Sequence, residues 1–316
     1  MPSATRGLVD PDLLPLLDAF PAVTITSDNL VALRARDLPL PPVQDCGVLL
    51  EEREIDGPPG APPIGLRIYR PAEAEGPLGC IFHIHGGGFV GGSAKEVEFL
   101  HRPLAASLGC IIVSVDYRLA PETVFPGAIG DCYAALGWTF RNAAAIGVDP
   151  ARIGVMGESA GGGLAAALAL MARDRGEYRL AFQHLTYPML DDRTCVRDPH
   201  PHAGEYIWHA INNRFGWTSL LGHEPGRADV SPYAAPARAL DLAGLPPTFI
   251  STAALDIFVD EDIDYAQRLN RAGVSCELHV WPGAFHGFDI LPGVPVADAA
   301  RAASAAALAK FLNSGD

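Results

Sequence analysis

The sequence predicts an α/β fold: a mostly parallel central sheet flanked by helices. Three observations carry that expectation. From residue 79 onward, short apolar runs alternate with segments of helical length, the pattern of strands joined by helical crossovers. The first of those runs, "IFHIHGGGFVGG" at 81–92, leads into an almost bare backbone. A later one, "VMGESAGGG" at 155–163, sets Gly-x-Ser-x-Gly between a strand and an Ala-rich helix.

In chain order, residues 10–20 and 27–37 read as two short amphipathic helices. "GVLLEEREI" and "GLRIYRP" read as strands either side of the turn "DGPPGAPP". Strand 79–85 precedes a helix near 96–107, and strand 110–116 a helix near 127–145. Strand 152–156 runs through the serine motif into a helix at 160–174, and strand 180–187 follows. Residues 189–243 interrupt the alternation with His, Pro, Asp and aromatics, as functional inserts do. Strand 247–253, helix 260–271, strand 275–281 and an Ala-rich helix at 297–312 complete the chain.

Composition narrows the function. A chain of 316 residues, 49% hydrophobic and 19% charged, supports one large globular domain with at most a small appendage. Its net charge of −14, with only 23 Lys and Arg, argues against nucleic acid and anionic membranes as partners. No apolar run is long enough to span a bilayer, and "MPSATRGLVDPD" lacks a signal-peptide core, so a cytoplasmic protein is expected. Six cysteines, at 46, 80, 110, 132, 195 and 276, form no C-x-x-C pair and read as free thiols.

The glycine run has two readings. Gly86, Gly88 and Gly91 satisfy G-x-G-x-x-G, and Asp116 ends the next strand, where a dinucleotide's ribose would be bound. A Walker loop is excluded because Lys95 follows Ala94 rather than a glycine. The alternative is an oxyanion hole, and the rest of the chain favours it. Gly157-Glu158-Ser159-Ala160-Gly161 has the strand–turn–helix setting of a nucleophile elbow, where small flanking residues are required. A serine hydroxyl needs a base. His286 lies in a Gly-flanked loop after the last strand, and Asp256 just past the end of the strand before it. Those are the expected third and second members of a Ser–Asp–His order. Asp260 and Asp262 are rivals for the acid, but fall inside the predicted helix. The oxyanion donors would be the N–H groups of Gly87, Gly88 and Ala160. The dinucleotide reading leaves the elbow, Asp256 and His286 unexplained.

With these pieces in order, the chain resembles the hormone-sensitive-lipase-like α/β-hydrolases, the bacterial family IV esterases. The matching stretches are "HGGGF" (85–89), "VDYRLAPE" (115–122), "GESAGG" (157–162), "SPYAAP", "LPPTFI", "LDIFVDED" (255–262) and "HGF" (286–288). The resemblance covers roughly residues 45–312. It departs at Glu158, where the family usually has Asp or Thr, and at Asp256-Ile257-Phe258 in place of Asp-Pro-Leu.

The resemblance implies an α/β-hydrolase domain at 46–188 and 231–316, with a helical cap made by 1–45 and an insertion at 189–230. It implies a carboxylesterase for short- to medium-chain acyl esters, working through an acyl-serine without a cofactor. Amide hydrolysis, deacetylation or acyl transfer on the same machinery is the alternative. So is a non-catalytic small-molecule receptor, whose mark would be loss of the histidine, yet His286 is present. Arg118 and Glu122 are expected to brace the loops. Phe89, Tyr187, Tyr206, Trp208 and Phe215 are candidate pocket residues, although these aromatics, with Trp217, equally suit a cap core. His200, His202 and His209 lack a helical metal-ligand spacing, so no metal is expected. The edge strand 275–281 is expected to pair with its own copy in a homodimer.

Overall fold

The computed structural model of the chain describes residues 5–19, 23–36, 40–290 and 292–313. The N-terminal segment is less helical than its pattern suggests. Two 3₁₀ turns, Arg6–Leu8 and Pro11–Leu13, lead into α1 (Leu14–Ala19), and α2 spans only Leu30–Arg34. Residues 20 and 37, the ends of the two expected helices, lie outside the described residues. Asn29 explains the late start of α2. Its side chain accepts from the Thr26 N–H and donates to the Thr24 carbonyl, which makes a turn of residues 24–29.

The next two strands, β1 (Val48–Ile55) and β2 (Ile64–Pro71), form an antiparallel pair in the register Ile55↔Ile64. Alternation then sets in with β3 (Leu78–Ile84), α3 (Glu98–Leu108), β4 (Ile111–Asp116), α4 (Gly127–Arg141) and a turn of helix, α5 (Ala143–Ile146). It continues through β5 (Val148–Glu158), α6 (Ala160–Arg175) and β6 (Gln183–Thr186). The insert supplies α7 (Ala210–Leu221), and β7 (Thr248–Ala253), α8 (Val259–Arg271), β8 (Cys276–Trp281) and α9 (Pro295–Asn313) complete the fold. Strand β5 starts earlier than the apolar run 152–156. Asp149-Pro150-Ala151-Arg152 breaks the pattern, and the pairing with β3 absorbs it as a register shift between Leu78 and Cys80.

The eight strands lie in the order β1-β2-β4-β3-β5-β6-β7-β8. Strand β2 runs antiparallel to both neighbours, and the pairs from β4 to β8 are parallel. The inner strands are buried on both faces, which is why they read as continuous apolar runs. Helix α6 is buried along residues 160–172 and contributes five alanines from Ala165 to Ala172 with no exposed side. Strand order reverses around β3, which lies between β4 and β5. In open α/β sheets a ligand crevice forms at the carboxyl ends of the strands at such a reversal. The glycine loop leaves β3 and the serine leaves β5, at that crevice.

Strand β8 alternates Cys276, Leu278 and Val280 with Glu277, His279 and Trp281 in sequence, but its burial does not follow that alternation. Cys276 and Leu278 pack toward the main core, but Val280 is exposed and Trp281 is half-buried. Trp281 packs against the second core, and its indole N–H donates to Ser251 Oγ at 2.9 Å. Both faces are therefore partly covered. Among the described residues β8 pairs only with β7.

Candidate active site

Ser159 stands at the junction of β5 and α6 with φ = 56° and ψ = −122°. A positive φ is costly for a residue with a Cβ and persists only where its surroundings impose it. The surroundings are glycines pressed on backbone. A Cβ at Gly161 would sit 2.0 Å from the Ile84 carbonyl oxygen, and one at Gly157 would sit 2.3 Å from the Gly161 oxygen. The Ser159 N–H donates to Thr186 O, and its carbonyl accepts from Gly163 and Met189 N–H at 3.0 and 2.9 Å.

Ser159 Oγ lies 3.0 Å from His286 Nε2, and His286 Nδ1 lies 2.7 Å from Asp256 Oδ2. A carboxylate only accepts, so Nδ1 carries the proton and Nε2 is left free to accept from the hydroxyl. The other Asp256 oxygen accepts from the Phe258 N–H at 3.1 Å. Asp256 and His286 are 1% and 7% exposed, so water competes little for these bonds. The rival acids are elsewhere engaged: Asp262 accepts from Thr252 Oγ1 at 2.6 Å, and Asp260 is exposed on α8.

The glycine loop is oriented by its own carbonyls. His85 Nδ1 donates to Gly86 O at 2.8 Å, and Gly87 O accepts from the Val90 and Gly91 N–H groups at 3.1 and 3.0 Å. Because a trans peptide is planar, fixing each C=O turns the next N–H the opposite way. The Gly87 and Gly88 N–H groups are thereby aimed, and Ala160 N–H is aimed likewise by the bonds to Ser159 O. None of the three donates to a main-chain acceptor among the described residues. Gly87 and Gly88 have φ of 114° and 62°, open to glycine and strained for other residues. The His85 ring stacks on Tyr117 at 4.3 Å, and burial pulls its pKa down to about 4, so it stays neutral.

The candidate pocket residues go to different places. Tyr187 lies 4.7 Å from the His286 ring, and its hydroxyl donates to Asp289 at 2.7 Å. The Trp208 indole lies against Gly88, where a Cβ would be 2.1 Å from it, and its ring centre is 6.4 Å from that of His286. Tyr206 packs on Phe285 beside the His286 loop, with its hydroxyl at Thr5 Oγ1. Phe89 is buried against Trp217, itself fully enclosed, and Phe215 packs on Leu30, Val90 and Ala120. Arg118 grips Asp131 through two bonds of 2.7 and 2.8 Å, while Glu122 pairs with Arg34. Among the described residues no group of three or more His, Cys, Asp or Glu could hold a metal ion.

Two features escaped the sequence reading. Phe258 stands edge-on to His286 at 5.4 Å, in the stretch where the chain departs from Asp-Pro-Leu. Behind the elbow, His83 bridges Ser114 Oγ and Glu158 Oε2, at 2.9 Å each. Burial takes the His83 pKa down to about 3 and pushes Glu158 up to about 7. The neutral ring accepts from Ser114 at Nδ1 and donates to Glu158 at Nε2. The spacing His83-Ile84-His85 was a legible signal, because residues two apart along a strand share one face, and His83 lies on β3 with His85 just past its end.

Fold and site together define an α/β-hydrolase, and the chain belongs to that family. Residues 81–290 match the family described as alpha/beta hydrolase fold, in its hormone-sensitive-lipase-like branch. The chain is 38% identical to carboxylesterase NlhH of Mycobacterium tuberculosis over 99% of both chains. It is 38% identical to esterase LipI of the same species, over 92% of this chain and 90% of that one. Among solved structures it resembles a bacterial heroin esterase, with 40% identity and a TM-score of 0.88 over 98% of this chain and all of that one.

Proposed function

We propose that the protein is a carboxylesterase acting through an acyl-Ser159 intermediate. The hydrogen-bonded line Ser159–His286–Asp256 carries this reading, and the esterase relatives support it. Ser159 Oγ attacks the ester carbonyl carbon as His286 Nε2 takes its proton. The carbonyl π electrons move onto oxygen, and the N–H groups of Gly87, Gly88 and Ala160 stabilise that oxyanion. Asp256 holds the imidazole tautomer and stabilises the imidazolium. As the carbonyl re-forms, the alkoxide leaves with the proton from His286. Water, deprotonated by His286, then attacks the acyl-serine by the same path, releasing the acid and returning the proton to Ser159.

In this reading the N-terminal segment and residues 189–230 act as a cap, and 46–188 with 231–316 as the catalytic domain. The contacts of Tyr206 and Trp208 described above support that division. Tyr187, Trp208 and Phe258 would wall the pocket, which favours acyl chains of about four to eight carbons because a closed apolar pocket is finite. Hydrolysis of p-nitrophenyl butyrate, with an organophosphate adding its mass at Ser159 alone, is the expected result. Labelling at another serine, or faster cleavage of butyryl anilides than butyryl esters, would overturn the assignment.

A homodimer through β8 accompanies this reading, supported by the open edge of that strand. Light scattering at micromolar concentration should give twice the chain mass, and Leu278→Pro should reduce it to a monomer. A monomer of 33.4 kDa from the unaltered protein would end the idea.

A further inference from the structure

We propose that Arg34, in the N-terminal helix α2, is a positioning residue for the oxyanion hole. It would act through two peptide planes on the Gly88 N–H. The inference rests on the esterase reading above, since it concerns that site's oxyanion donor.

The guanidinium makes four bonds at once. Its Nε donates to Val90 O at 2.6 Å and its Nη2 to Ala120 O at 2.7 Å. Its Nη1 and Nη2 also fork onto the two Glu122 oxygens at 2.8 and 2.9 Å. Glu122 holds the charge in place, and the pairing with Arg34 keeps its carboxyl below the usual range. Leu30, one turn earlier on α2, packs on Val90 and Ala120, so the helix is seated by apolar contact as well. The Ala120 N–H returns a bond to Phe89 O at 2.9 Å, tying the two loops that Arg34 bridges.

The consequence follows from peptide planarity. Holding Val90 O from one side turns the Gly91 N–H to the other, where it donates to Gly87 O at 3.0 Å. Holding Gly87 O in turn aims the Gly88 N–H away from it. The line therefore runs from a fixed cation through peptide 90–91 and peptide 87–88 to the proposed oxyanion donor. Each bond in such a chain polarises the next, and the cation lies at the end that makes the Gly88 N–H a better donor. An ester's ground-state carbonyl needs that donor less than the tetrahedral oxyanion does, so the effect belongs in kcat rather than KM.

Lysine should not replace the arginine. An ammonium is a point charge on a flexible stem and cannot hold two carbonyls and a carboxylate in one plane.

The test compares Arg34→Gln, Arg34→Lys and a control, Arg6→Gln, which removes an exposed ion pair to Asp18 in the same N-terminal region. With p-nitrophenyl butyrate, Arg34→Gln should lower kcat by about 10–100-fold, as modest misplacement of catalytic groups does, with KM within about twofold. Affinity for a trifluoromethyl ketone, which adds to the serine as an oxyanion, should fall in parallel with kcat. Arg34→Lys should resemble Arg34→Gln, and Arg6→Gln should resemble the unaltered protein. Amide hydrogen exchange of the 86–92 segment should speed up in both Arg34 variants. A rise in KM alone, full activity in Arg34→Lys, or unchanged exchange in Arg34→Gln would overturn the proposal. If Arg34→Gln does not fold, Glu122→Gln loosens the same fork and should show a smaller loss confined to kcat; unchanged kcat there would also overturn it. An unaltered protein that cleaves no ester would sink the esterase reading instead, while the exchange measurement would still decide whether Arg34 orders the loop.

Discussion

The elbow is held by backbone; the segments proposed as the cap are held by side chains. At the elbow, Gly157, Gly161, Gly162 and Gly163 each stand where a Cβ would meet another atom at 2.9 Å or less. The N–H groups and carbonyls that meet there are the same in every residue, and the absence of side chains lets them come together. In the proposed cap, by contrast, Thr5 reaches Glu205 and Tyr206, Asn212 holds Ile25 N and Val23 O, and Asp192 is gripped by Arg238 from outside it. Exchanging such side chains changes fit while leaving the main-chain scaffold standing. The comparison teaches that the turn presenting Ser159 depends on backbone geometry that few residues allow, while the proposed cap rests on side-chain contacts that can be exchanged.

The contrast can be broken most severely at the elbow. Ser159→Ala should lower kcat by about 10⁶-fold, as nucleophile removal does in other serine hydrolases, with the melting temperature little changed. Gly161→Ala should do as much by a different route. Its Cβ would meet Ile84 O at 2.0 Å, so circular dichroism should report lost structure as well as lost activity. A folded, active Gly161→Ala protein would contradict the backbone half of the comparison.

A smaller effect is expected at the acid. Asp256→Asn should reduce kcat by about 10³–10⁴-fold with the fold intact, because an amide no longer fixes the imidazole tautomer. If Asp260→Asn proves the damaging change instead, the wrong carboxylate has been chosen.

Smaller still is the expected response of the proposed cap. Trp208→Ala removes the indole from beside Gly88. It should lower kcat/KM for butyrate esters by about tenfold and raise that for dodecanoate relative to it, since one large apolar wall is worth about 1–3 kcal/mol of discrimination. An unchanged chain-length profile would remove Trp208 from the pocket.

The mildest prediction concerns Glu158. Burial raises its carboxyl from 4.5 to about 7 in the folded protein. A carboxyl that binds its proton more tightly when folded favours the folded state at low pH. That advantage is lost as pH rises from about 4.5 to about 7. Glu158→Gln keeps an acceptor for His83 but cannot ionise. Its stability relative to the unaltered protein should therefore improve by about 1 kcal/mol between pH 5 and pH 8, an amount reduced by the partial exposure of the side chain. Parallel urea-unfolding curves at the two pH values would contradict this.

Much of the catalytic edge was legible because its signals are local. A nucleophile elbow needs small residues two before and two after the serine, and "GESAG" displays that within five letters. The glycine run and the strand–helix alternation are likewise properties of neighbours along the chain. The N-terminal helices were over-read because an amphipathic pattern does not reveal that the Asn29 side chain will bond backbone and turn residues 24–29. The edge strand was mis-phased at Val280 because both faces of β8 are partly covered, so simple alternation did not apply.

By itself, then, the sequence determined the fold class and the sharp strand-to-helix turn at Ser159, because short-range sterics leave few conformations for glycines and strands. Its place just past a strand marked Asp256 over Asp260 and Asp262, but only the tertiary structure set its carboxylate 2.7 Å from His286 Nδ1. Only it sorted Tyr187, Trp208 and Phe258 near His286 from Phe89 and Phe215, which pack elsewhere. It likewise joined Arg34 to Glu122, 88 residues away. Those relations depend on which side chains meet when the sheet, insert and N-terminal segment close on one another. That is set by the packing of the whole chain, and no spacing of letters records it.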